Sequence, residues 1–212
     1  MSSMTKRPAT YQDVLDAPEH LVAEIIDGEL RLSPRPGGPH TLAASRLGYV
    51  LGGPFDLGNG GPGGWTVLVE PELHLGKDIV VPDLAGWRGE RLPEVAQQQA
   101  YFSIAPDWIC EVLSKSTAVN DREEKLPIYG RAGVGLAWLV DAIQRTLEVL
   151  RMHEGAWRTV AMHRGDVRVR AQPFDAIEID LAVLWQRIAP KPPRGTRASE
   201  EAAVYVVGGG ER

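Results

Sequence analysis

An α/β fold of the α+β type, a mixed β-sheet with helices packed on it, is predicted by three features of this 212-residue sequence. The pair Asp27-Gly28 lies between alternating apolar and polar flanks, which is the pattern of a two-residue β-hairpin. The run Trp108-Ile109-Cys110-Glu111-Val112-Leu113 is apolar almost throughout, as in a strand covered on both faces. After Leu136 come alternating runs separated by short turns, an antiparallel meander, while stripes of helical period at 42–51 and 181–188 supply the covering layer.

The elements follow in order. Residues 1–9 are expected to form a disordered leader, 10–189 one domain, and 190–212 a linker and tail. Thr10 starts a short helix with Asp13 three residues on, and Pro18 lies beyond its end. The hairpin covers 23–32. A helix is expected over 40–51, carrying Leu42, Ala43, Leu47, Val50 and Leu51. The glycine-rich stretch 52–64 ends without a Lys-Ser or Lys-Thr and has no clear strand before it, so it reads as a surface loop and not a phosphate cradle. Residues 65–75 read as one long or bulged strand. A turn at 76–78 leads to a strand over 79–87 that carries Asp83, and 93–100 is a short helix or a loop.

Residues 107–113 form the next strand and 114–132 a mostly helical segment stopped by Gly133. Pro127 either kinks that helix or stands in the first turn of a helix starting near Lys125. Strands at 136–141, 146–152 and 156–162 make the meander, and 180–188 closes the domain as a helix bearing Leu181, Leu184, Trp185 and Ile188 on one face. Beyond Pro190, the apolar Ala203-Val204-Tyr205-Val206-Val207 forms a strand only if a sheet edge receives it.

Composition excludes several function classes. The net charge of −5 argues against a broad basic nucleic-acid face, leaving room only for a local groove. One cysteine, Cys110, permits no intramolecular disulfide and no multi-cysteine zinc site, and its apolar setting reads as a buried, inert thiol. No stretch approaches the roughly 18 apolar residues of a membrane span, and the N-terminus lacks a signal-peptide core. A cytoplasmic protein is expected.

The chemistry concentrates in Pro82-Asp83, Glu111 and Lys125. Two carboxylates brought together by strands offer hard oxygen donors to Mg²⁺ or Mn²⁺. A metal so held polarises a phosphate and lowers the pKa of an attacking water, and a nearby lysine steadies the negative charge that develops. A glutamate inside an apolar strand is costly to bury unless paired or metal-bound, which marks Glu111 for function. The bland readings stand beside these. Asp83 could cap a turn, Lys125 has helix ion-pair spacing from Asp121, and a hairpin tolerates Glu24 as an exposed acid. Tyr129 reads as packing, and His40 and His74 lack ligand spacing and read as structural. Ser114, Ser116 and Thr117 read as helix caps, and the six tryptophans as core.

The ordered series Glu24-Ile25-Ile26-Asp27-Gly28-Glu29-Leu30, Ser33-Pro34, His40, Val81-Pro82-Asp83-Leu84, Glu111-Val112-Leu113-Ser114-Lys115-Ser116-Thr117, Asp121, Lys125, Tyr129, Ala132-Gly133-Val134 and Trp138-Leu139-Val140-Asp141 resembles the Uma-type family of putative restriction endonucleases over about residues 10–187. The resemblance implies the restriction-endonuclease-like PD-(D/E)XK fold and metal-dependent cleavage of DNA. It makes Asp83 and Glu111 the metal-binding acids, with the Val112 carbonyl as an extra ligand, and Glu24 a further ligand or a water-positioning group. The usual lysine two residues after the glutamate is Leu113 here, and the family's displaced lysine matches Lys125. An ammonium on a long flexible stem can reach one point from two backbone origins. Nucleases of this fold are often dimers, so a homodimer is expected. The competing expectation is a degenerate relative that keeps the fold and binds nucleic acid or a protein partner. An oligomeric scaffold using the tail comes third.

Overall fold

The computed structural model describes residues 7–92, 99–114 and 118–189. The expected helix or loop at 93–100 lies almost wholly outside the described residues, as do Ser116, Thr117 and the tail from 190. Residues 7–9 of the expected leader lie against the fold: Arg7 pairs with Asp13 at 2.6 Å, and the Ala9 N–H donates to the Gly28 carbonyl at 2.8 Å.

Helix α1 (Tyr11–Leu15) is closed by a capping box between Thr10 and Asp13. Strands β1 (Leu21–Ile26) and β2 (Glu29–Pro34) form the expected hairpin. Both turn residues take positive φ, Asp27 at 50° and Gly28 at 80°, the geometry that matches strand twist and favours an Asp-Gly pair. Helix α2 (Gly38–Leu51) buries Ala43, Ala44, Leu47 and Leu51. It runs on into a π-helical turn, Gly52–Asp56, that buries Phe55, so only the later part of the expected 52–64 loop is irregular.

Two long strands expected from the sequence are each broken, and both breaks carry the chain between sheets. The 65–75 stretch is β3 (Trp65–Val69) and β4 (Leu73–Leu75). Pro71 cannot donate to a ladder, and Glu70 bends the chain at φ 48°. The 79–87 stretch is β5 (Asp78–Val80) and β6 (Leu84–Arg88), interrupted at Pro82 for the same reason. Strands β3 and β6 belong to a six-stranded sheet, whereas β4 and β5 belong to a four-stranded sheet of order β2-β1-β5-β4. The two crossings run side by side, with the Glu70 N–H on the Asp83 carbonyl at 3.0 Å.

The six-stranded sheet adds β7 (Trp108–Val112), β8 (Leu136–Asp141), β9 (Thr146–His153) and β10 (Ala156–Arg164), in the order β10-β9-β8-β7-β6-β3. The β7–β8 pair is parallel and the other pairs are antiparallel, so the sheet is mixed as expected and its end is the expected meander. Helices flank it. The segment joining β7 to β8 contains α3 (Ala118–Asn120), a π-helical turn (Asp121–Lys125) and α4 (Leu126–Arg131). Pro127 stands in the first turn of α4, where its missing N–H costs nothing. Gly133, at φ 92°, ends the segment.

The closing helix is shorter than its stripe suggests. Asp180 belongs to a two-residue ladder, β11 (Arg168–Val169) with β12 (Ile179–Asp180), and α5 spans Ala182–Trp185. Two-residue strands have too little length to show a period. Leu181, Leu184, Trp185 and Ile188 are nevertheless all buried.

Period-2 alternation divides the core between the sheet faces. Trp108, Cys110 and Val112 of β7 face one cluster with α2, α5, Trp138 and Phe174. Ile109 faces the other, with Tyr129, Leu139 and Leu150. Glu111, sharing Ile109's side of the strand, therefore points toward α4. Phe174 sits at the centre of the first cluster, edge-on to Trp108 at 4.8 Å and to Trp138 at 5.6 Å. No helix among the described residues is long and apolar enough to cross a membrane.

Candidate active site

The chain leaves β5 at Val81, crosses between the sheets and enters β6 at Leu84. Everything singled out by sequence converges on this crossing. Pairing of β1 with β5 at Ile25–Ile79 brings Glu24 alongside. The Glu24 Oε1 accepts the Val81 N–H at 2.8 Å, and the Val81 carbonyl accepts from Lys125 Nζ at 3.0 Å. One residue is thus held at both its main-chain groups.

Asp83 follows the proline. Antiparallel pairing of Leu84 with Cys110 sets it opposite Glu111, and its Oδ2 accepts the Val112 N–H at 2.6 Å. The N–H and C=O of a strand residue leave on one side, so the Val112 carbonyl faces the same edge of β7. The expected metal ligand set of Asp83, Glu111 and the Val112 carbonyl is therefore brought together.

Lys125 reaches this point from the π-helical turn. Its Nζ lies 2.9 Å from Glu111 Oε1, 3.1 Å from Glu24 Oε1 and 4.0 Å from Asp121 Oδ1. Lys125 is 5% exposed and Glu111 2%, so the contacts are made out of bulk water. The spacing from Asp121 that suggested a simple helix ion pair gives the longest of the three. Leu113, at the usual lysine position, is half-buried against the apolar cluster around Tyr129.

Two residues read as structural belong to the site. His40, in the first turn of α2, places Nε2 3.1 Å from Asp83 Oδ2. Tyr129 donates its hydroxyl to Glu111 Oε1 at 2.6 Å. Tyr129 carried a signal, since it stands one helical turn beyond Lys125 and shares its face. His40 carried no local signal, because α2 and the crossing are far apart in sequence, and only its place in the family series marked it. His74 is paired with Glu72 at 2.7 Å and stacked on Tyr101.

Burial and charge set the protonation states. Burial alone would lower the Lys125 pKa, but the carboxylates of Glu111 and Glu24 outweigh it and hold the ammonium well above its ordinary range. Burial pushes the Glu111 carboxyl well up, Lys125 opposes this, and Asp121 and Asp83 add to it. The Tyr129 hydroxyl is raised by burial and by Glu111, so it remains a donor. Burial likewise raises the Cys110 thiol, which packs into the opposite face of β7 as an inert group.

Beside these groups opens a cavity of about 410 Å³, walled by α1, the β1–β2 hairpin and the start of α2. Glu24, Asp83, Glu111 and Asp121 share it with Lys125 and His40. The surplus of buried negative charge and the hard oxygen donors suit Mg²⁺ or Mn²⁺. Among the described residues no three His, Cys, Asp or Glu side chains converge to chelate an ion by themselves. A metal held here would need main-chain oxygen and water besides the side chains.

A family model described as "Uma2: Putative restriction endonuclease" matches residues 8–183. Among solved structures, the chain is similar to a putative nuclease belonging to DUF820 from Anabaena variabilis, with a TM-score of 0.63 and 22% sequence identity, covering 84% of this chain and 98% of that one. At that identity the likeness speaks for the fold. No curated protein matches.

Proposed function

Because the chain belongs to the Uma2 family of putative restriction endonucleases, we propose that it is a metal-dependent endonuclease hydrolysing DNA phosphodiester bonds at the β5–β6 crossing. The observation that carries this reading is the Lys125 ammonium held 2.9 Å from Glu111 and 3.1 Å from Glu24, in a cavity shared with Asp83. Asp83, Glu111 and the Val112 carbonyl hold Mg²⁺ or Mn²⁺. When bound, the metal polarises the scissile phosphate and lowers the pKa of the attacking water.

The protein's own groups do the rest. The Val112 N–H and His40 fix the Asp83 carboxylate, and the Tyr129 hydroxyl fixes that of Glu111. Glu24, anchored on the Val81 N–H, is placed to position water. Lys125 stays protonated, its N–H groups held by Glu111, Glu24 and the Val81 carbonyl, and its fixed positive charge offsets the negative charge that develops on the phosphoryl oxygens. Such preorganised charge needs no rearrangement as the reaction proceeds.

Cleavage of plasmid and of single-stranded oligonucleotides is measured with Mn²⁺, Mg²⁺ or EDTA, for the wild type, Glu111→Ala and Lys125→Ala. Metal-dependent cleavage lost in both variants is the expected result, and cleavage retained by Glu111→Ala would sink the site assignment. Leu113 at the usual lysine position and the net charge of −5 motivate a second reading, a degenerate fold that binds nucleic acid or a protein partner. It gains if no cleavage occurs and calorimetry finds no Asp83-dependent uptake of Mn²⁺. A homodimer in the cytoplasm completes the proposal, with light scattering as the test of assembly.

A further inference from the structure

The substrate form follows from the cavity, given the nuclease reading above. The reacting groups lie at its floor, with the Glu111 and Lys125 side chains 3% and 6% exposed. A volume of about 410 Å³ is at the small-ligand end of the usual range. It suits one nucleotide unit and not two paired strands. The mouth is acidic: Glu19, Glu70 and Glu72 line it, and Arg35 is the one cation there among the described residues. Arg35 stands 3.9 Å from Glu70 in an exposed pair and donates to the Glu19 carbonyl at 3.3 Å. Such a pair is weak and readily exchanged for a phosphate. Proteins that track duplex DNA contact many phosphates with many cations, and among the described residues this mouth offers one.

We infer that the cavity admits one nucleic-acid strand and excludes a duplex, with Arg35 holding a phosphate next to the one being cleaved. The test compares initial rates with Mn²⁺ on a short single-stranded oligonucleotide, on the same oligonucleotide annealed to its complement, and on bis(p-nitrophenyl) phosphate. The single strand should be cut at least about tenfold faster than the duplex. Arg35→Ala should raise KM for the single strand about tenfold, the loss of one charge-assisted hydrogen bond. It should also flatten the salt dependence by about 0.7 in log–log slope. Arg35→Lys, which keeps the charge, should recover most of both effects and so separates phosphate binding from a loosened mouth. Equal or faster cutting of the duplex overturns the inference while the nuclease reading stands. Hydrolysis of none of the three overturns both.

Discussion

At the scale of single residues, Lys125 is the side chain on which the site most depends. It is a buried cation between two buried carboxylates, and removing one partner of such a set leaves uncompensated charge in a poor solvent. Lys125→Ala should cost about 3–5 kcal/mol, read as a fall in the urea midpoint. A loss below about 1 kcal/mol would mean that the ammonium is solvated and the geometry wrong. Asp83 and Glu111 were legible in the sequence because a charge in or beside an apolar strand has few structural uses, and Lys125 through the family resemblance. His40 had no local pattern, because it stands in α2 while its partner Asp83 lies in the β5–β6 crossing, and contacts between distant segments leave none.

At the scale of elements, the π-helical turn Asp121–Lys125 decides where the ammonium points. It is tied to the sheet from outside the cavity: Arg122 pairs with Glu148 of β9 at 2.8 Å, and Glu148 also accepts the Thr159 hydroxyl at 2.6 Å. Glu148 is 8% exposed, so its two contacts hold a fixed geometry. Glu148→Ala should lower kcat about tenfold or more with KM little changed, since an ångström of misplacement is worth that much. Glu148→Gln, which can still accept from Thr159, should recover part of the loss. A change confined to KM would assign the clamp to substrate binding. The hairpin, α2, β7 and the meander were legible because each has length and period. The two sheet crossings were not, because apolar residues stand on both sides of Pro71 and Pro82, and which sheet each half joins is set by pairing with distant strands. The short β11–β12 ladder and the truncated α5 escaped for want of residues.

At the scale of the whole molecule, the cavity couples stability to pH and to divalent metal. The Glu111 carboxyl is raised above its ordinary 4.5, so the folded state binds a proton that the unfolded state releases. Its contribution is complete below that ordinary value and is lost as pH rises through the raised one. Lys125, raised above 10.5, contributes below that value and loses its contribution only at still higher pH. The metal-free protein should therefore lose stability from about pH 4.5 upward relative to Glu111→Gln, in which this proton is absent. Manganese competes with the proton for Glu111, so its affinity should rise over the same range. At a hundredfold excess over Kd it should add about 2.7 kcal/mol. Scanning calorimetry of both proteins across pH, with and without Mn²⁺, checks the sign; parallel curves would place the titration elsewhere.

The crossing between the sheets has one more consequence. Two main-chain amides there donate to side-chain carboxylates instead of to neighbouring strands: Val81 to Glu24 and Val112 to Asp83. An amide's resonance and its exchange with solvent follow the charge on its acceptor. These two nitrogens therefore act as built-in spectroscopic reporters, one for each side of the site. A cation arriving at Asp83 would be seen at Val112, and one arriving at Glu24 would be seen at Val81. The order in which the two carboxylates change state could thus be followed in the unaltered protein, with no label beyond nitrogen-15 and no substrate added.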